Sequence, residues 1–523
     1  GISTFSEGIV ASSDITVNSV SVGKGANSQS GNTVLGESAL DANTTGTKNT
    51  VVGYESLTEN TTGQENVAVG YRTLDANTTG DQNVAIGYVA LGANTTGVDN
   101  VAVGRASLDA NTTGDKNTAI GNGTLSASNA SYNTALGFEA LSLDTTGANN
   151  TAAGYYALRS NTTGTDNTAV GAIALDANTT ASNNTALGYN ALGANTTGAD
   201  NTGVGKNALG SNTTASNNTA IGKQSLAANT TGTENTAVGS GSLQANTTAN
   251  ANTAVGYLAL EDTTTGANNT AIGREALRNT TTGAQNTACG KDALQYNTTG
   301  AYNTAVGNQA MEGASGSSTG GSNVAVGHVA LQANTTGTLN TAVGTNCMLT
   351  NTTGSRNAAI GAEALALNTT GDYNCAFGKA TLYTNTTGDN NTAYGTAALF
   401  ANTTADGNTA VGYEALKSNT TGYYCVAVGA YALDANTTAQ GNTAIGYNTL
   451  TDCTGEANTG VGRQAMVSMS TGIQNTAMGY DAGGGLSTGS NNLLLGYASG
   501  LASSPSGNIT GGSNNVCLGN NSI

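Results

Sequence analysis

Asn66-Val67-Ala68-Val69-Gly70-Tyr71-Arg72-Thr73-Leu74-Asp75-Ala76-Asn77-Thr78-Thr79-Gly80-Asp81-Gln82 is one period of this chain, and Asn83-Val84-Ala85-Ile86-Gly87 and Asn100-Val101-Ala102-Val103-Gly104 open the next two. The period is seventeen residues. A fixed short period means stacked copies of one small structural unit, each touching only its neighbours. The glycine that closes the apolar triplet sets the register: Gly23, Gly36, Gly53, Gly70, Gly87, and so on to Gly496 and Gly519, thirty in all. Most steps between them are seventeen; the exceptions are thirteen (Gly23 to Gly36), sixteen (Gly121 to Gly137, Gly446 to Gly462), twenty (Gly307 to Gly327) and twenty-three (Gly496 to Gly519).

Within Val67-Ala68-Val69 the first and third residues share one face and Ala68 takes the other, the period-two pattern of a strand. Val52, Val69, Ile86 and Val103 fill the slot before the glycine. A second apolar ladder follows at Leu57, Leu74, Leu91 and Leu108. The Asn-Thr-Thr-Gly tract then turns the chain, since Asn and Gly tolerate positive φ. Each period therefore reads as two short strands and two turns. Seventeen residues is too short for a helix-pair repeat and fits one coil of a parallel β-solenoid. About thirty coils at a strand spacing of roughly 4.8 Å would make a rod of about 140 Å. Asn49, Asn66 and Asn83 would stack as an asparagine ladder, with side-chain amides bonding from coil to coil. The register glycines Gly53, Gly70 and Gly87 belong to the same structural set. One Val and one Leu per coil are a thin core against the entropy of ordering seventeen residues. The alanine face is thereby expected to pack against other copies of the chain in a parallel homo-oligomer.

Composition excludes several classes. The 523 residues include 74 Gly, one Pro and 9% charged residues. Regular Val, Ile and Leu positions distinguish the chain from a disordered Gly-rich tract. A net charge of −17 with no basic patch argues against nucleic acid as a partner. No apolar run approaches the roughly 20 residues that span a bilayer, and no signal peptide is visible. The six cysteines, Cys289, Cys347, Cys375, Cys425, Cys453 and Cys517, never share a slot in adjacent coils and form no C-x-x-C pair. They read as small buried or neutral substitutions rather than disulfide or zinc partners.

The repeat resembles the head of trimeric autotransporter adhesins, a left-handed parallel β-roll. Asn66 to Gly70 match that family's first strand, and Thr73-Leu74 through Gly80 its second half; the adhesin coil is shorter by about three residues near Asn-Thr-Thr. The longer coil is more similar to the shafts of bacteriophage tail fibres and related virion spikes. Ile15 to Gly23 resemble the lead-in to such shafts. Gly507-Asn508-Ile509 and Val516 to Ile523 resemble the stretch just before an intramolecular chaperone domain that assembles the trimer and cuts itself off. The resemblance covers roughly residues 15 to 523. It implies three segments: a lead-in or attachment segment, 1–18; a repeat shaft, 19–496, with a loop insertion at 313–322; and a terminal repeat region, 497–523, ahead of the cleaved chaperone. It also implies a homotrimer on the virion surface, attached to tail or baseplate proteins and meeting a host surface glycan or protein receptor, without membrane insertion. The bacterial adhesin reading places the chain on a cell surface, followed by a coiled-coil stalk and a membrane β-barrel.

No catalytic constellation, cofactor motif or metal set emerges, so the chain reads as a structural protein and not an enzyme. His328 is the single histidine and has no Ser or Cys partner motif. Gly-x-x-x-x-Gly matches arise by repetition, without the Lys-Ser/Thr of a phosphate loop. The Asn-Thr-Thr tracts match the glycosylation sequon, which carries little weight in a phage or bacterial protein. Tyrosines recur after the register glycine, as at Tyr54, Tyr71, Tyr88 and Tyr497. Such rows can stack on sugars, but the plainer reading packs them over the coil edge with the hydroxyl in water. Asp41, Asp75, Asp109, Asp176 and Asp434 precede Ala-Asn-Thr-Thr or its equivalent; they are cation ligands between chains or, more simply, solubilising charges. The inserted 313–322 segment should bulge as a loop, which makes Ser317 and Thr319 candidate receptor contacts. Tyr497 and Pro505 in the terminal region are the others. A third reading, an ice-binding solenoid, needs a flat exposed threonine row, and Thr44-Thr45 and its copies sit at a corner.

Overall fold

The computed structural model describes residues 13–314, 318–502, 504 and 507–519. Ser317 and Pro505 lie outside them. The chain divides into two compact units, Gly1–Asn252 and Thr253–Ile523. Each is an all-β parallel β-solenoid. The described residues contain no α-helix, only a short 3-10 turn at Ala26–Ser28, and no helix among them is long and apolar enough to cross a membrane.

The first unit opens with β1 (Ile15–Val17), β2 (Val20–Gly23) and β3 (Thr33–Gly36). β1 pairs with β2 and β2 with β3, both antiparallel. The triplet ending at Gly23, read from sequence as the first coil, is thus a hairpin strand folded over the end of the stack. The thirteen-residue step is four residues short of a coil, and here the chain returns in the opposite sense. From β3 onward the strands, of three residues each after β3 itself, pair parallel and in register, one per coil: Val67 opposite Val84, Ala68 opposite Ala85, Val69 opposite Ile86. This continues to Thr236–Val238. The second unit repeats it from Thr253–Val255 to Val516–Leu518.

The two faces of each strand are the reverse of the sequence expectation. Ala68, Ala85, Ala102 and Ala119 point inward and are fully buried. The residues before the glycine point outward: Val52, Val69 and Val103 are half-buried, while Ile86 and Ile120 are 39% exposed. Strand alternation defines two faces and does not say which is inner. The far wall decides it. Leu57, Leu74, Leu91 and Leu108 reach across with no exposed surface, leaving room for little more than a methyl. At Gly203, which holds this inner slot in one coil, an added Cβ would already lie 3.3 Å from Leu192. Larger inner residues occur near the ends of the units, at Val34 and Val51 and at Leu494 and Cys517.

The second strand does not form either. Arg72 and Leu74 adopt φ of 49° and 54°, and the equivalent pair recurs in coil after coil. A left-handed non-Gly residue costs about 1–2 kcal/mol, comparable with the return from burying a leucine. The backbone remains paired: Arg72 N–H donates to Tyr54 O of the preceding coil (2.9 Å) and Leu74 N–H to Ala90 O of the following one (3.0 Å). Gly70 combines φ 140° with a position where a Cβ would strike Gly87 O. Gly87 is the same, with a Cβ 2.5 Å from Gly104 O. The register glycine is therefore required by conformation and by the close approach of successive coils.

Candidate functional site: buried ladders and exposed faces

Asn49, Asn66 and Asn83 are fully buried and stacked as expected. Asn83 N–H donates to Asn66 Oδ1 (2.9 Å), Asn83 Nδ2 reaches the same oxygen (3.2 Å), and Asn66 Nδ2 donates to Gly80 O (2.9 Å). A second ladder, not anticipated, runs through Asn43, Asn60, Asn77 and Asn94. Asn77 Nδ2 donates to Asn60 Oδ1 (2.9 Å), and Asn94 Nδ2 to Asn77 Oδ1 (2.8 Å). This ladder closes the corner. Neither Asn77 nor Gly80 takes a positive φ, contrary to the turn chemistry assumed from sequence; instead Asn77 Nδ2 donates to Gly80 O three residues on (3.0 Å). The constant phase of Asn-Thr-Thr was the available signal. The first threonine adds another ladder, its hydroxyl donating to the carbonyl of the next coil, as in Thr61 to Thr78 O and Thr78 to Thr95 O (both 3.0 Å). Burial of these asparagines also removes the sequon nitrogens from reach.

The ladders vary in informative ways. Asp144 replaces an asparagine. It accepts from Ser128 Oγ (2.7 Å), Asn161 Nδ2 (2.9 Å) and Gly147 N–H (3.1 Å). Burial pushes its carboxyl up to about 6, against the opposing effect of these donors. Cys425 and Cys453 take asparagine positions in the two ladders and are buried. Burial pushes the Cys347 thiol up to about 12 and that of Cys453 to about 11. All six cysteines are free. Cys289 is exposed, on the outer strand face in line with Ile272 and Val306, and Cys375 is half-buried.

The outer surface carries the remaining candidates. Tyr54, Tyr71 and Tyr88 stack coil on coil, with centroids 5.5 and 5.2 Å apart and planes within 8°. Tyr480 and Tyr497 do the same at 5.5 Å. Rings stacked along the column turn edges, not faces, outward. This favours the packing reading over sugar stacking for these rows. Tyr497 is 61% exposed. Asp75, Asp109, Asp176 and Asp434 are half-buried, and burial pushes their carboxyls up. Asp41, Glu55, Glu59 and Asp75 surround Arg72 in a cleft. The guanidinium pairs with Asp75 (2.8 Å) and Glu55 (3.4 Å), filling the place a cation would take. Among the described residues no group of His, Cys, Asp and Glu is arranged to hold a metal ion. His328 is exposed.

The insertion is partly stitched into the coil. Ser318 is buried, forms a parallel bridge with Asn297, and donates its hydroxyl to Asn334 O (2.6 Å). Thr319 is exposed, with its N–H held by Thr335 O (2.7 Å). Beyond Tyr497, Ile509 is buried, and Thr510 O accepts from Ser487 N–H (2.7 Å), restoring the register after the long step.

In-register parallel strands, one per coil, with stacked buried amides define each unit as a parallel β-solenoid. No protein-family model matches the chain, and no curated protein sequence matches it.

Proposed function

We propose that the chain is a non-enzymatic structural fibre, the shaft of a virion spike or tail fibre assembled as a homotrimer. In this reading the shaft holds a receptor-binding region away from the particle and meets a surface glycan or protein of the host. The observation that carries it is the outer strand face. None of the three-residue strands contains a charged residue, and Ile86, Ile120, Leu136 and Leu187 are 39 to 51% exposed. An uncharged column of Val, Ile and Leu flanked in most coils by a threonine, on an otherwise acidic chain, suggests a surface that is covered in use, and copies of the same chain match it in register and length. The inward-facing alanines shift the expected contact from the alanine face to this one. Ladder hydrogen bonds from coil to coil supply stiffness. The bacterial surface adhesin remains the alternative, because it uses the same architecture. The ice-binding reading stays third: the first hydroxyl of most Thr-Thr pairs is committed to the backbone in the ladder described above, while the threonines that open the strands, such as Thr134, Thr168 and Thr185, do face outward.

Light scattering coupled to size exclusion tests the assembly. A mass three times 51.3 kDa is expected; a folded monomer would refute both fibre and adhesin. The gene sequence beyond Ile523 then separates them, a chaperone-like segment for the fibre and a coiled-coil stalk with a membrane β-barrel for the adhesin.

A further inference from the structure

One corner of the second unit departs from the repeat in a way the ladders do not require. In the slot before the first asparagine ladder most coils carry a side chain, as at Glu65, Gln82, Asp99 and Lys116. Around Tyr424 the slot is glycine in both adjoining coils, Gly407 and Gly441. The Tyr424 ring meets Gly407 with its edge, an added Cβ there lying 2.7 Å from Cδ1, 2.9 Å from Cε1 and 4.0 Å from Cγ. On the other side, a Cβ at Gly441 would meet nothing within 4 Å. Of the three other tyrosines in this slot, two have a cation over the ring, Lys116 over Tyr132 (5.5 Å) and Arg356 over Tyr373 (5.1 Å). Tyr424 is 68% exposed. Tyr423 stands against it at 85°, centroids 5.1 Å apart, making an L-shaped aromatic corner.

Thr404, Thr421 and Asp406 complete a shallow cleft of about 260 Å³ with the two tyrosines. Asp406 Oδ1 accepts the Asp389 N–H (2.7 Å), leaving Oδ2 for a ligand hydroxyl. The cleft is smaller than the 300 Å³ or so at which drug-sized pockets begin and suits one ring. An open aromatic face takes the C–H face of a pyranose, while hydroxyls and a carboxylate at the rim take its equatorial hydroxyls. A quaternary ammonium group would use the rings and the carboxylate but not the hydroxyl rim, and it would find aromatic walls on only two sides. We propose that this corner is a saccharide-binding site that holds a single pyranose unit on the face of Tyr424. The proposal rests on the host-attachment reading and narrows its partner to a glycan.

Saturation-transfer NMR on the full chain with methyl glucoside, galactoside, mannoside and N-acetylglucosaminide tests it, with tetramethylammonium chloride as competitor. Transfer to the ring C–H protons of at least one pyranoside is expected, with affinity about ten-fold weaker in Tyr424→Ala, the size of one lost aromatic contact. Asp406→Asn should weaken it several-fold, and circular dichroism and native mass should be unchanged in both variants. Absence of transfer from every pyranoside, transfer undiminished in Tyr424→Ala, or binding of tetramethylammonium alone would overturn the site. A trimeric mass without pyranoside transfer sinks this site and leaves the fibre standing; transfer lost in Tyr424→Ala on a monomeric chain keeps the site and sinks the fibre.

Discussion

Replacing Asp144 by Asn should stabilise its coils above about pH 6 and change little in acid. Asp144 sits in an asparagine ladder with no exposed surface, and burial raises its carboxyl from 3.8 to about 6. The native state therefore holds the proton more tightly than the unfolded chain. The sign follows: this group's contribution is fully present below about pH 3.8, is lost as pH rises through about 6, and stays lost above. At roughly 1.36 kcal/mol per tenfold change in proton affinity, the full loss is about 3 kcal/mol. The neutral amide of Asp144→Asn cannot ionise. It keeps an oxygen for Asn161 Nδ2 and supplies an N–H for the Gly147 carbonyl, as Asn77 does for Gly80. Native-state hydrogen exchange resolves the effect coil by coil, because a repeat array does not unfold as one unit. The difference in protection between variant and parent near residues 128 to 161 should widen by about 2.4 kcal/mol between about pH 4 and about pH 7. A difference that is flat with pH, or a variant less protected than the parent at neutral pH, would refute the reasoning.

Ala102→Leu overfills the inner strand slot and should cost about 1–3 kcal/mol in urea denaturation. Gly87→Ala meets both a φ of 139° and the approach of Gly104 O; a loss of at least about 2 kcal/mol in the same assay is expected. Asn94→Ala removes the donor to the buried Asn77 Oδ1 and one of the two acceptors of the Asn111 amide. About 2 kcal/mol should be lost, seen as faster exchange confined to the flanking coils. The Cys347 thiol, pushed up to about 12 by burial, should stay unmodified by iodoacetamide at neutral pH until denaturant is added, as mass spectrometry of the digest would show.

How far the sequence carries is clearest in particular slots. The seventeen-residue phase, the strand at Val67-Ala68-Val69, the register marked by Gly70 and the stacking of Asn66 on Asn49 all follow from local chemistry repeated at constant spacing. Each coil meets its like, so whatever a residue does once it does along the stack. The inner face of the strand, the left-handed Leu74, the second asparagine ladder and the antiparallel start at Val20–Gly23 were decided only by tertiary structure. Alternation offers two equivalent faces, and the choice between Ala68 and Val69 rests on Leu74 arriving from the opposite wall of the same coil. A left-handed leucine is locally unfavourable and is held there by hydrogen bonds to the coils on either side and by burial. The Tyr424 corner is partly legible, as a glycine at positions 407 and 441 around a tyrosine. That its ring face stands open depends on which way the ring leans, and that is settled by packing between coils.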